Sequence, residues 1–116
     1  MMAGCSSQIT ERDLVGGNWQ ATAGYEDGEP VGEPYCMDFF TGGLEFKEDG
    51  IVYGEEYNKD YEYELEEWEG RIRIVFIRNG KNRHNYFIDK ISADEIGLTG
   101  SGRGFENESC YLEREK

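Results

Sequence analysis

One histidine, His84, and 25 carboxylates set against 12 basic side chains make up most of the reactive chemistry in this 116-residue chain. A single imidazole rules out a histidine-rich metal site, and no serine or cysteine motif accompanies it as a nucleophile. The acids recur at period two, as Glu62, Glu64 and Glu66 do. That spacing marks one solvated face of a strand, not a facing acid and base. Glu48 and Asp49 lack the spaced oxygen ligands of a calcium loop. The glycines between Gly97 and Gly104 precede no helix that would lend its N-terminus to a phosphate. Neither catalysis nor a cofactor is expected. What remains is tyrosine: Tyr53, Tyr61 and Tyr63, with Phe76, can line a cavity whose hydroxyls meet a small polar or amphipathic ligand. The same rings can also simply fill a narrow barrel.

The elements that carry these residues are strands. Residues 61 to 66 alternate apolar and acidic, residues 71 to 74 alternate basic and apolar, and Glu69-Gly70 between them suits a two-residue hairpin loop. Such a loop pairs Tyr63 with Phe76 and Leu65 with Ile74 on an apolar face. It pairs Glu66 with Arg73 and sets Arg71 over Trp68 on the other. Leu44 to Tyr53 reads as a second hairpin turning at Asp49-Gly50, and Arg78-Asn79-Gly80-Lys81 turns the chain into a strand over 82 to 90. If Asn79-Gly80 is a two-residue loop, Ile74 faces Asn85 and Phe76 faces Arg83, which places Arg83 inside as part of a polar floor. If the loop carries one more residue, or a bulge, Tyr86, Ile88 and Ile91 are interior instead. Both registers are open at this level, and His84 is expected on an exposed strand face. Ser92 to Glu95 turns into Ile96-Gly97-Leu98-Thr99, and a glycine-rich link leads to a last strand over 110 to 114. Between Tyr25 and Gly43 lies a long segment whose aromatic run, Tyr35 to Phe40, forms either a strand packing Met37 and Phe39 inward or a lid that brings Phe39 and Phe40 to the rim. Thr10 with Asp13 predicts a short helical turn within Gln8 to Val15, tucking Leu14 and Val15 under the fold.

Sixteen glycines and sixteen aromatics in one chain of this length favour strands and tight turns, so the class is all-β and the domain single. About eight strands in successive hairpins make an antiparallel up-and-down barrel, whose closure removes unpaired edges. The formal charge of −13 repels phosphate backbones and anionic headgroups, so nucleic acid is not an expected partner. The same charge serves solubility, or attracts a basic protein. No apolar run approaches the roughly 18 residues of a membrane-spanning helix.

Gly17-Asn18-Trp19 resembles the glycine-x-tryptophan signature that opens the first strand of lipocalins and their calycin-barrel relatives. The order that follows strengthens the resemblance: a phenylalanine-rich strand, a Glu-Asp-Gly turn, meandering strands and a closing strand led by Tyr111. The resemblance implies that Trp19 closes the barrel's base and that a late arginine, Arg114, packs across it, with Gly17 as a structural position. It also implies a lipocalin-like domain over residues 10–116, following a tail over residues 1–9. In that tail, Ala3-Gly4-Cys5-Ser6-Ser7 resembles the end of a bacterial lipoprotein signal peptide, in which Cys5 would become the lipidated first residue. The basic and apolar regions of such a signal do not precede it here. If the start is truncated, the protein belongs in the cell envelope, with membrane contact only through a lipid anchor at Cys5; otherwise it is cytoplasmic. In an exported protein Cys36 and Cys110 form a disulfide candidate, and in a cytosolic one they would be buried thiols. The functional expectation is a binding protein, not an enzyme. It would hold a small apolar or amphipathic ligand in the barrel mouth through Tyr53, Tyr61, Tyr63, Phe76 and Arg83, with Phe39 and Phe40 near the rim. The alternative is an acidic envelope protein that binds or inhibits a cationic protein through its outer surface.

Overall fold

The computed structural model describes residues 9–36, 42–78, 80, 82–101 and 107–115, with the side chains of Trp68 and Asn82 left aside. A short helix, α1 (Glu11–Leu14), precedes nine strands: β1 (Asn18–Glu26), β2 (Glu29–Val31), β3 (Leu44–Lys47), β4 (Ile51–Gly54), β5 (Lys59–Trp68), β6 (Arg71–Arg78), β7 (Asn82–Ser92), β8 (Glu95–Gly100) and β9 (Ser109–Glu115). Strands β3 to β9 follow one another as antiparallel neighbours. Strand β1 pairs with both β3 and β9 and closes the ring, so eight strands form the barrel and β2 is an extra strand on the end of β1.

The β5–β6 hairpin has the register read from its alternation. Tyr63 pairs with Phe76, Leu65 with Ile74 and Glu66 with Arg73, around a turn in which Glu69 (φ 50°) and Gly70 (φ 82°) both take left-handed backbone. That pair of conformations matches the right-handed twist of the flanking strands. The next turn is one residue longer. Ile74 pairs with Tyr86 and Phe76 with His84, leaving residues 79–81 as the loop. The two-residue reading of Asn79-Gly80 is thus overturned: Arg83 and Asn85 turn outward, while His84, Tyr86 and Ile88 turn in. Tyr86 and Ile88 are buried, as the longer-loop alternative requires, but Ile91 is not. The β7–β8 register shifts between Lys90 and Ser92, and Ile91 is 37% exposed.

The β3–β4 turn takes three residues, Glu48–Gly50, so Phe46 pairs with Val52 and Tyr53 pairs with Glu45 on the outer face. Part of the segment expected to be a long loop is instead a hairpin. Asp27 (φ 55°) and Gly28 (φ 84°) turn β1 into β2, and Pro30 sits on that outer edge, where a strand tolerates a missing N–H. Its aromatic run is only partly described: Tyr35 is exposed and bridges Ser109, while Met37, Phe39 and Phe40 lie outside the described residues, as does Cys5.

Inward-facing rings meet across the barrel. Phe46 stands edge-on to Tyr63 at 5.0 Å, Phe76 edge-on to Tyr86 at 6.1 Å, and Phe46 lies 6.4 Å from Phe76. At one end, the base, Leu14 of α1 is fully buried, and Trp19 donates its indole N–H to the Leu14 carbonyl at 2.9 Å. Arg114 stacks on the indole at 4.7 Å. Its guanidinium also donates to Asp94 Oδ1 at 3.0 Å and to the carbonyls of Val15, Gly16 and Ala93. Gly17 passes so close that a Cβ there would come within 2.8 Å of the Arg114 side chain. At the opposite end, the mouth, Cys36 and Cys110 form a disulfide with Cα atoms 6.1 Å apart, tying the segment after β2 to the start of β9.

Candidate functional site

The most distinctive open feature is at the base, between α1 and the projecting β5–β6 hairpin. Both strands of that hairpin run past the neighbouring β4, so the inward faces of Leu65 and Ile72 extend beyond the closed part of the barrel and remain half-buried. The chain entering α1 brings Ile9, 3% exposed, against the same surface. Thr10 fixes that entry. Its backbone N–H donates to Asp13 Oδ2 at 2.8 Å, and Asp13 also accepts from Lys90 Nζ at 3.0 Å, which anchors the helical turn to β7. The backbone hydrogen bond from Thr10, and then Lys90, hold the Asp13 carboxyl below its ordinary range despite an opposing contribution from burial. The result is an open cleft of about 520 Å³ with an apolar floor.

Tyr63 lines this cleft, 4% exposed, and its hydroxyl has no hydrogen-bond partner. Burial, then the nearby charge of Glu11, push its ionisation well above the ordinary phenol range. It therefore stays protonated. A buried hydroxyl without a partner costs free energy comparable to a lost hydrogen bond, which is why such groups in folded chains are few. Gly50 (φ 74°) lets the β3–β4 turn cross close to β5 here, since a Cβ would sit 3.2 Å from the Tyr63 carbonyl. The charged side chains lining the cleft are all acidic: Glu11, Glu64, Glu66 and Glu67.

The mouth end holds a second polar group. Glu108, ahead of β9, accepts from the Tyr86 hydroxyl at 2.5 Å and lies 3.1 Å from His84 Nε2, with the His84 and Tyr86 rings stacked at 5.1 Å. His84 is thus turned inward and paired, contrary to the exposed position expected of it, because the longer β6–β7 loop shifts its parity. A carboxylate held by two donors is a pin between β7 and the approach to β9. On the outer wall, Tyr25 lies across Gly97 and donates to Asp89 Oδ2 at 2.8 Å, and Arg71 sits 4.2 Å over Phe87 and 3.6 Å from Asp89. Phe87 on the neighbouring strand thus takes the guanidinium expected over Trp68, whose side chain is not described.

Of the ligand-binding residues expected together, Tyr61, Tyr63 and Phe76 share the inner face: Tyr63 pairs with Phe76, all three are buried in one core, and Lys59 Nζ lies 5.8 Å above the Tyr61 ring. Only Tyr63 of the three also lines the basal cleft. Tyr53 is on the outer wall, under Lys47 and hydrogen-bonded to Asn58, and Arg83 is exposed. Ile9, Glu11 and Glu67 in the cleft, and Glu108 at the mouth, were not foreseen. Glu67 continues the inward parity of Tyr63 and Leu65, so the hairpin alternation could have found it; Ile9 and Glu108 enter from non-strand segments that carry no periodic signal. Among the described residues no cluster of three or more His, Cys, Asp or Glu is arranged to hold a metal ion. No helix among them is long and apolar enough to cross a membrane. No family model, curated protein or solved structure matches this chain.

Proposed function

We propose that this barrel is a binding module and not an enzyme, and that it holds a small apolar-bodied molecule in the basal cleft. The observation that carries the reading is Tyr63, which lines an apolar cleft and whose hydroxyl is buried, protonated and unpartnered. Ligand sites are commonly of this kind, a mostly apolar concavity with a few polar groups that fix orientation. The packed ring contacts of Phe46, Tyr63, Phe76 and Tyr86 favour the base over the barrel axis, because they already occupy the space a ligand would need. The lipocalin-like reading of the chain rests on Gly17-Asn18-Trp19, the Arg114 stack and the eight-stranded closure. With it goes the proposal of a cell-envelope protein tethered through Cys5, four residues before Ile9.

The test is a neutral apolar dye, N-phenylnaphthylamine, titrated into the full chain. Saturable brightening is expected, displaced by octanol and weakened at least about tenfold by Ile72→Trp, which fills the cleft, while the far-ultraviolet dichroism is unchanged. Unsaturable brightening, or an affinity untouched by that variant, would remove the basal cleft as the site.

A further inference from the structure

The charged side chains that line the cleft are all acidic. Glu66 is neutralised by Arg73, whose Nε donates to Glu66 Oε2 at 2.8 Å. Among the described residues Glu11, Glu64 and Glu67 have no cationic partner. Two of these bear directly on the floor. Glu67 pairs with Ile72 across the hairpin and follows Tyr63 and Leu65 on the inward parity of β5, while Glu11 stands on the opposite wall, on the first turn of α1. The floor between them is Ile9, Leu65 and Ile72, together with Tyr63, whose hydroxyl is buried and unpartnered. An anion entering this space meets like charges on both walls, and a neutral molecule leaves them as they are. An ammonium group is attracted to both, and it also carries an N–H for the lone pairs of the unpartnered Tyr63 oxygen.

From this, and resting on the binding reading above, we propose that the basal cleft takes a small amphipathic cation: an organic ammonium whose apolar body lies on Ile9, Leu65 and Ile72 and whose head sits between Glu11 and Glu67, over the Tyr63 hydroxyl. The buried hydroxyl separates this site from an ordinary acidic surface, which attracts cations without orienting them.

Three probes of equal chain length discriminate: octylammonium, octanol and octanoate, titrated calorimetrically into the full chain at low and at moderate salt. Octylammonium is expected to bind roughly tenfold tighter than octanol, with octanoate weakest and the preference shrinking as salt rises. The double variant Glu11→Gln/Glu67→Gln removes that preference while octanol still binds. The outer-face control Glu45→Gln/Glu62→Gln, equal in charge change, keeps it. Tyr63→Phe weakens octylammonium more than octanol. Equal affinity for all three probes, or a control pair as damaging as the cleft pair, overturns the cationic assignment and leaves the binding reading standing. If none of the three binds, both fall together.

Discussion

Arg114 shows how one side chain can close the base of this barrel. Its planar guanidinium stacks on Trp19 and at the same time reaches Asp94 and three backbone carbonyls that would otherwise face the end of the barrel. Lysine has a point charge and no fork. Arg114→Lys is therefore expected to cost about 2 kcal/mol, from the stack and the orphaned acceptors, read as a lowered urea midpoint with an unchanged slope. Tyr25 and Tyr63 are raised first by burial, and Tyr111 is pushed up to about 12, first by its hydrogen bond to Glu95. In the unfolded chain each ionises near its ordinary value of about 10. Their contribution to stability is thus complete below that pH and is lost as pH rises through the folded values. Phenolate absorbance should lag in part until the dichroism collapses, and Tyr111→Phe should shrink the alkaline loss of stability. A full phenolate signal from an intact fold would contradict this.

At the scale of elements, the turns decide which side chains share a face. A loop one residue longer moves a strand's whole inward set to the other side, since side chains alternate with period two. That is why the β5–β6 hairpin is legible down to its pairs, whereas the side of Arg83 stays open and His84 and Tyr53 are expected on the opposite faces from those they take. Glu69-Gly70 has a two-residue turn and strict alternation on both sides, but the turns after β3 and β6 carry the same Asp-Gly and Asn-Gly letters inside three-residue loops. The letters announce a turn without stating its length. Closure of the barrel is legible from the run of about eight strands in successive hairpins, and the Trp19 to Arg114 stack only through the resemblance carried by Gly17-Asn18-Trp19. The cleft is not legible, since α1, a turn and a projecting hairpin meet there only through tertiary packing. The outer wall supplies a test of that packing. Gly97 lies under the Tyr25 ring, and a Cβ there would come within 2.3 Å of it. Gly97→Ala should lift Tyr25 off β8, break its bond to Asp89 and cost about 1–3 kcal/mol, while Thr99→Ala on the same strand should cost clearly less. Equal costs would mean that the Tyr25 lid contributes little.

Over the whole molecule, a closed barrel is tied at its two ends by different means. The base is closed by Leu14, Trp19 and Arg114, the mouth by the Cys36–Cys110 disulfide and the Glu108 pin. The disulfide spans 74 positions of sequence. In the chain-entropy account its reduction should lower stability by about 4 kcal/mol, measured as the difference in urea unfolding between oxidised and reduced protein. A loss that is negligible would mean the mouth is held without it. The rings that fill the axis leave the cleft between α1 and the β5–β6 hairpin as the site proposed for binding. The most direct measurement is an amide NMR titration of the isotope-labelled protein with octylammonium. Shifts should concentrate at Ile9, Glu11, Tyr63, Glu67 and Ile72 and leave Tyr61, His84 and Glu108 unmoved. Shifts gathered at those last three residues, or spread evenly over the acidic surface, would contradict the basal site.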